Sequence, residues 1–441
     1  MSVLARLAAL VFFMLTAVAA QAQSIIRDAE IERGLQALAA PILRAAGLPN
    51  TTRIIVVDDG SLNAFVVDYS HIFIHSGLLM RLERPEEVQA IIAHEAAHIA
   101  NGHFTRRATN VGTASTVARI GMLLGAAAGI ASGDAGAGIG LATGAMSSAQ
   151  RVLFAHTRAE EASADTAAIR YMISAGVDPS AMADVLELFR GQEALSASRQ
   201  DPYMLTHPLS RERLRSVRAL ITGNEGGESD NTTMYWFQRS IGKLTAFLRA
   251  PSWTLRRVGR NDNSEIARMR RAIAYMRQPD DERALAEVNA LIQMRPDDPY
   301  YHELRGQILY EARRYGNAVA AYAQAVELAP REPLIMAAYG RALLALESAA
   351  SNSQALEVLS RARARDPFNP RLLRDLALAH ARLGQNGLAS AATAERYALI
   401  GRFEDARIHA TRASGLLPQG SPGWLRAQDV LSVAETALNR R

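Results

Sequence analysis

Ile91-Ile92-Ala93-His94-Glu95-Ala96-Ala97-His98-Ile99-Ala100 is the stretch around which the rest of the chain is read. Its apolar residues recur at helical spacing. On a helix His94 and His98, four residues apart, project from one face, so both imidazoles can reach one tetrahedral Zn²⁺. Glu95 lies one step round, too far to be a third ligand from that turn but placed to take a proton from a zinc-activated water. Pro85 at a first helical position and Glu86-Glu87 in the first turn start this helix correctly for its dipole. Val88, Ile91, Ile92 and Ile99 give it a core side, and Asn101-Gly102 ends it. His103 follows the helix end and is expected to cap it or to be solvated.

The 441 residues include no cysteine, so a zinc ion here must be held by histidines and carboxylates. Further candidate ligands lie on a helix expected from Arg151 to Ala175, stopped by Gly176. Within it Glu161 and Asp165 stand four apart on one face, so one can bind metal while the other accepts the second N–H of a ligand imidazole. The next histidine, His207, falls in Leu205-Thr206-His207-Pro208, a loop before a helix starting near Arg211.

Between the leader and the motif helix, Asp28 to Leu48 reads as an amphipathic helix. Arg53–Val57, Ala64–Val67 and Ile72–Ile74 read as short strands of a small sheet. Asn63-Ala64-Phe65 is the candidate edge on which an extended peptide could add as one more strand, the alternative being an ordinary strand start in the core. His71 and His75 share a strand face and are expected to be solvated rather than ligands.

Composition narrows the function classes. Hydrophobic residues make up 49% and charged residues 21%, a globular balance long enough for two or three domains. The net charge of +5 comes from scattered arginines, Lys243 being the one lysine. No phosphate-cradling glycine loop and no basic stripe interleaved with aromatics appears, so nucleic acid is not expected as a partner. Arg6, the apolar run Leu7 to Ala20 and the small-x-small site Ala20-Gln21-Ala22 read as a secretory signal cleaved after Ala22. Ile120 to Met146 repeats glycine every fourth residue at Gly121, Gly125, Gly129 and Gly133, then at Gly136, Gly140 and Gly144. Its two arms are each too short to span a bilayer, so a membrane-dipping or active-site-covering hairpin is expected, with a low-complexity loop as the alternative.

Taken together, Asn63-Ala64-Phe65, Gly77-Leu78-Leu79, His94-Glu95-x-x-His98, Arg158-x-x-Glu161-x-x-x-Asp165 and Thr206-His207-Pro208 resemble the HtpX/Ste-type zinc endopeptidases, and within them the periplasmic BepA-like branch. The resemblance implies one Zn²⁺ per chain held by His94, His98 and Glu161, with Glu95 as general base. It makes Asp165 the partner of a ligand histidine. It places His207 facing the metal, either stabilising the transition state or occupying the fourth position of a latent site. Membrane members of this family carry spans where this chain has its shorter glycine-rich stretch.

The C-terminal third repeats. Pro296 and Pro330, Pro299 and Pro333, and Gly306 and Gly340 are each 34 residues apart, the period of tetratricopeptide helix pairs, which stack into a solenoid that binds protein segments. The expected fold is α+β and mostly helical: a zincin-like metallopeptidase domain with a small sheet, then an all-α tetratricopeptide solenoid. The expected division is a signal at 1–22, a peptidase domain at 23–221 with the hairpin at about 112–150, a linker and connecting helix at 222–263, and repeats at 264–441. The expected function is an exported, periplasmic zinc endopeptidase hydrolysing misfolded or stalled envelope proteins. The solenoid would dock substrate or outer-membrane assembly machinery, and the hairpin would touch the membrane peripherally. The alternative is a latent-site chaperone or adaptor whose zinc is closed by His207.

Overall fold

The computed structural model describes residues 24–103 and 157–439, apart from 197, 198, 210, 225, 228 and 260. The leader at 1–22 and the glycine-rich stretch at 112–150 lie outside the described residues. Among the described residues no helix is long and apolar enough to cross a membrane.

The first helix, α1 (Ala29–Ala45), is capped by Asp28, whose carboxylate accepts from the backbone N–H groups of Glu30 and Ile31. Ile31, Leu35, Leu38 and Ile42 recur at helical spacing and are buried. Four strands follow the order β1-β2-β4-β3: β1 (Ser24–Ile26), β2 (Arg53–Asp58), β3 (Ala64–Val66) and β4 (His71–His75). β2 and β4 are parallel, whereas β1 and β3 pair antiparallel at the two edges. Strand alternation splits the side chains. Ile54, Val56, Ala64, Val66, Ile72 and Ile74 face the main core, and Ile25, Ile55, Val57 and Phe73 gather on the other face. Gly77-Leu78-Leu79 belongs to a one-turn helix, α2 (Ser76–Leu79). A Cβ on Gly77 would lie 2.2 Å from the Gly60 carbonyl oxygen, so that crossing needs glycine.

The motif helix is α3 (Pro85–Ala100), with Pro85 at its start and Asn101 as C-cap. It is buried on nearly every side, against α1 and the sheet through Val88, Ile91 and Ile92. Against α4 (Arg158–Ser174) it packs through alanines, Ala97 meeting Ala164 and Ala167. These small side chains let the two helices approach closely enough for their polar residues to meet. After α5 (Ser180–Glu187), α6 (Pro202–Thr206) ends at His207, and α7 (Arg211–Ile221) packs on α4 and α5.

Two helices, α8 (Asn231–Leu248) and α9 (Pro251–Arg257), precede the repeats, and α8 lies between α1 and α10 (Glu265–Met276). A Cβ on Gly34 of α1 would sit 1.9 Å from Ser240 Oγ of α8, which shows how close these helices run. Arg239 of α8 pairs with Glu30 on one side and, at 2.6 Å, with Asp298 on the other. Lys243 reaches Asp28 at 2.8 Å and Glu30 at 2.9 Å.

The repeats are antiparallel helix pairs: α10 with α11 (Asp281–Met294), α12 (Pro299–Glu311) with α13 (Tyr315–Leu328), and α14 (Pro333–Leu344) with α15 (Ala349–Arg363). Pro299 and Pro333 both open the first helix of a pair, where a missing N–H costs nothing. Gly306 and Gly340 sit where the two helices of a pair touch, against the Tyr322 ring and Leu359. Beyond them come α16 (Pro370–Arg382), α17 (Asn386–Leu399), α18 (Phe403–Leu416) and α19 (Pro422–Leu438). α17 packs on both α16 and α18. This α+β, mostly helical architecture with a terminal tetratricopeptide array matches the expectation.

Candidate metal centre

Helical geometry puts His94 and His98 on one side of α3, with their Nε2 atoms 3.0 Å apart. Glu161 comes from α4, its oxygens 3.5 Å from His94 Nε2 and 3.4 Å from His98 Nε2. His207, at the end of α6, brings Nδ1 to 3.3 Å from His94 Nε2 and 3.1 Å from Glu161 Oε1. One ligand atom from each of these four residues lies within 4.8 Å of all the others, and all four residues are buried.

Asp165, one turn after Glu161, places Oδ1 3.0 Å from His94 Nδ1. Glu95 is fully buried beside His207, Oε1 standing 3.5 Å from its Nε2, and among the described residues neither Glu95 oxygen has a hydrogen-bond partner. On the far side, His207 Nε2 is 3.3 Å from the carbonyl oxygen of Ala64 in edge strand β3. Ala64 thus borders the site; its neighbour Asn63 is buried, and the Phe65 ring stacks on Phe73.

The buried groups differ in protonation. Burial pushes the His98 imidazole well below its usual value, leaving it neutral with a lone pair to donate. Burial would raise Glu161, but Arg213 and then His207 outweigh it and hold the carboxyl well below the usual range. Burial likewise opposes a charged His94, yet Asp165 and Glu161 raise it to about 9. A metal binding through His94 would therefore displace a proton. Glu95 is pushed up by burial, the direction expected of a base poised to exchange a proton. Three imidazoles and a carboxylate form a donor set suited to Zn²⁺ rather than to the harder Mg²⁺ or Ca²⁺.

Three participants were not legible in the sequence. Arg213 of α7 is buried and grips Asp165 at 2.6 and 2.8 Å and Glu161 at 2.5 Å. It falls one residue before Leu214 and four before Val217, the buried side of an amphipathic helix, and a charge there needs a counter-ion. Tyr203 stacks on the His207 ring with centroids 4.6 Å apart, itself backed by Phe189. His103 is neither a cap nor solvated: it is 2% exposed, with Nδ1 2.9 Å from His98 Nδ1. His75 also departs from expectation. It is buried beside Ser61 and Asp59, and burial lowers it to about 4, whereas His71 is partly exposed and pairs with Asp68.

With this geometry in place, residues 26–221 match peptidase family M48. Residues 26–221 are an M48 peptidase domain. The chain is similar to a Vibrio cholerae protein described as a putative beta-barrel assembly-enhancing protease, 25% identical over 390 residues, covering 83% of this chain and 76% of the relative. It is also similar to the beta-barrel assembly-enhancing protease of Escherichia coli K12, 24% identical over 375 residues, covering 83% and 75%. With its M48 domain, the chain is a metalloprotease, hydrolysing peptide bonds.

Proposed function

We propose that this chain is an exported, periplasmic zinc endopeptidase that cuts misfolded or stalled envelope proteins. The observation that carries the reading is the convergence of His94, His98, Glu161 and His207 within 4.8 Å, beside the buried carboxylate of Glu95. In this reading His94, His98 and Glu161 hold one Zn²⁺, and Asp165 fixes the His94 ring by accepting its Nδ1–H. The metal, when bound, supplies Lewis acidity that polarises a peptide carbonyl and acidifies water. Glu95 accepts the proton of the attacking water and passes it to the leaving amine. Dry surroundings raise its basicity for that task. An extended client lies along the edge strand at Asn63-Ala64-Phe65. The repeat array docks the client or the complex that carries it, such as outer-membrane assembly machinery, and the names of the relatives favour a link to beta-barrel assembly. Glu95→Gln should abolish cleavage of an unfolded client while metal content stays near one zinc per chain. Retained proteolysis would sink the mechanism.

The position of His207 favours a second reading of the resting state. Its Nδ1 is near enough to His94 and Glu161 to be a fourth protein ligand. With that position taken, the protein would serve as a chaperone or adaptor until the ring leaves. His207→Ala separates the two: higher activity identifies a brake, and lower activity identifies a residue that assists the reaction.

A further inference from the structure

We infer that His103 is a positioning residue for the metal ligand His98: it accepts the Nδ1–H of His98 and so keeps the Nε2 lone pair of that ring directed at the metal. The inference rests on the metal-site reading above. An imidazole that ligates through Nε2 carries its proton on Nδ1, and a buried N–H needs an acceptor. For His94 the group beside Nδ1 is Asp165. For His98 it is His103, whose Nδ1 lies 2.9 Å away, with ring centroids 5.0 Å apart and planes inclined by 67°. A short contact between two imidazole nitrogens requires one to hold the proton and the other to be bare. Ligation through His98 Nε2 settles the direction, and the exposure of the two residues, 0% and 2%, keeps bulk water from competing.

The backbone is built to deliver this contact. Five residues further along an unbroken helix, a side chain would point roughly 140° away from His98. Instead α3 ends at Ala100, Asn101 N–H donates to the Ala97 carbonyl, and Gly102 N–H donates to that of Ile99. Gly102 then takes φ +65°, a left-handed turn that glycine adopts without strain. That turn brings residue 103 back beside the second ligand. The two ligand histidines are therefore supported unequally. His94 leans on a carboxylate that Arg213 also holds, and His98 leans on an imidazole.

The test compares zinc affinity of the full chain, by competition with a chromophoric chelator, for wild type, His103→Phe and His103→Gln. Phenylalanine fills the space without accepting a hydrogen bond, whereas the glutamine amide oxygen can accept one. His103→Phe should weaken zinc binding about 10- to 100-fold, and His103→Gln should recover affinity to within a few-fold of wild type, with unchanged circular dichroism in all three. A folded His103→Phe chain that binds zinc as wild type does, or a His103→Gln chain as weak as His103→Phe, would overturn the inference. Wild type that binds no zinc would overturn the metal-site reading and this inference together. A measurement independent of any variant is a long-range ¹H–¹⁵N spectrum of the zinc-loaded wild type. It should show the proton on His98 Nδ1 and a bare Nδ1 on His103, and a proton on His103 Nδ1 instead would overturn the inference.

Discussion

Replacing Arg213 by methionine should destabilise the metal-free protein far more than the zinc-loaded one. The guanidinium makes contacts of 2.5 to 2.8 Å with two carboxylates, Glu161 and Asp165, and all three side chains are almost wholly removed from solvent. Removing one partner of a buried ion pair costs about 3–5 kcal/mol, because the other charge stays behind uncompensated. Here two carboxylates lose a single cation, which puts the metal-free chain near the upper end. At about 2–4 °C per kcal/mol for a domain of this size, the melting temperature should fall by roughly 10–20 °C. With zinc bound, the charge of Glu161 is answered by the metal and Asp165 alone is left short, so roughly half that drop is expected. Melting followed by circular dichroism, with and without chelator, measures both values. A metal-free Arg213→Met chain that melts within about 3 °C of wild type would refute the reasoning, since the buried pairs would then contribute almost nothing.

Two further outcomes follow from the repeats and their junction with the catalytic half. Burial pushes the Glu303 carboxyl from 4.5 up to about 8, so its neutral form belongs to the folded state. That contribution is complete below about 4.5 and is lost as pH rises through about 8. The stability of Glu303→Gln relative to wild type should therefore climb between these limits, by at most ~1.4 kcal/mol per pH step; a flat difference in urea denaturation across the range would contradict this. Gly340→Ala places a Cβ 2.5 Å from Leu359 Cγ, so it should cost about 1–3 kcal/mol of overpacking, read as a lower denaturation midpoint. An unchanged midpoint would mean the helix pair is looser than it looks.

What could be read in the chain alone was whatever local spacing encodes. His94, Glu95 and His98 share one helix, Glu161 and Asp165 another, and the proline and glycine offsets of the repeats recur at a fixed interval. Each of these depends on a helical period or a sequence repeat, not on distant contacts. Arg213, Tyr203 and His103 escaped because their meaning arises only on assembly. Arg213 looks like one of many surface arginines until α7 meets α4, and Tyr203 looks like an ordinary aromatic until α6 lays it on His207. His103 follows a helix that ends at Asn101-Gly102, and only the left-handed Gly102 turn, whose direction no local spacing encodes, brings it back against His98. Strand β1 was missed for a related reason: three residues carry no pattern of their own, and Ser24–Ile26 is a strand only because β2 is there to pair with.

The placement of α8 changes how the two halves of the chain depend on each other. Arg239 answers Glu30 on the catalytic side and Asp298 on the repeat side, and Gly34 of α1 lies against Ser240. Severing the chain after α7 would not free a self-sufficient protease. It would strip α1 of its covering and strand Glu30 without its cations, and α1 is the floor on which the motif helix rests. Conversely, a client or assembly that pries at the repeats would pull on that floor through α8 and through direct contacts, Arg27 with Asp366 and Ala29 with Ala325 and Ile335, so a load far from the metal site would be felt beneath His94 and His98.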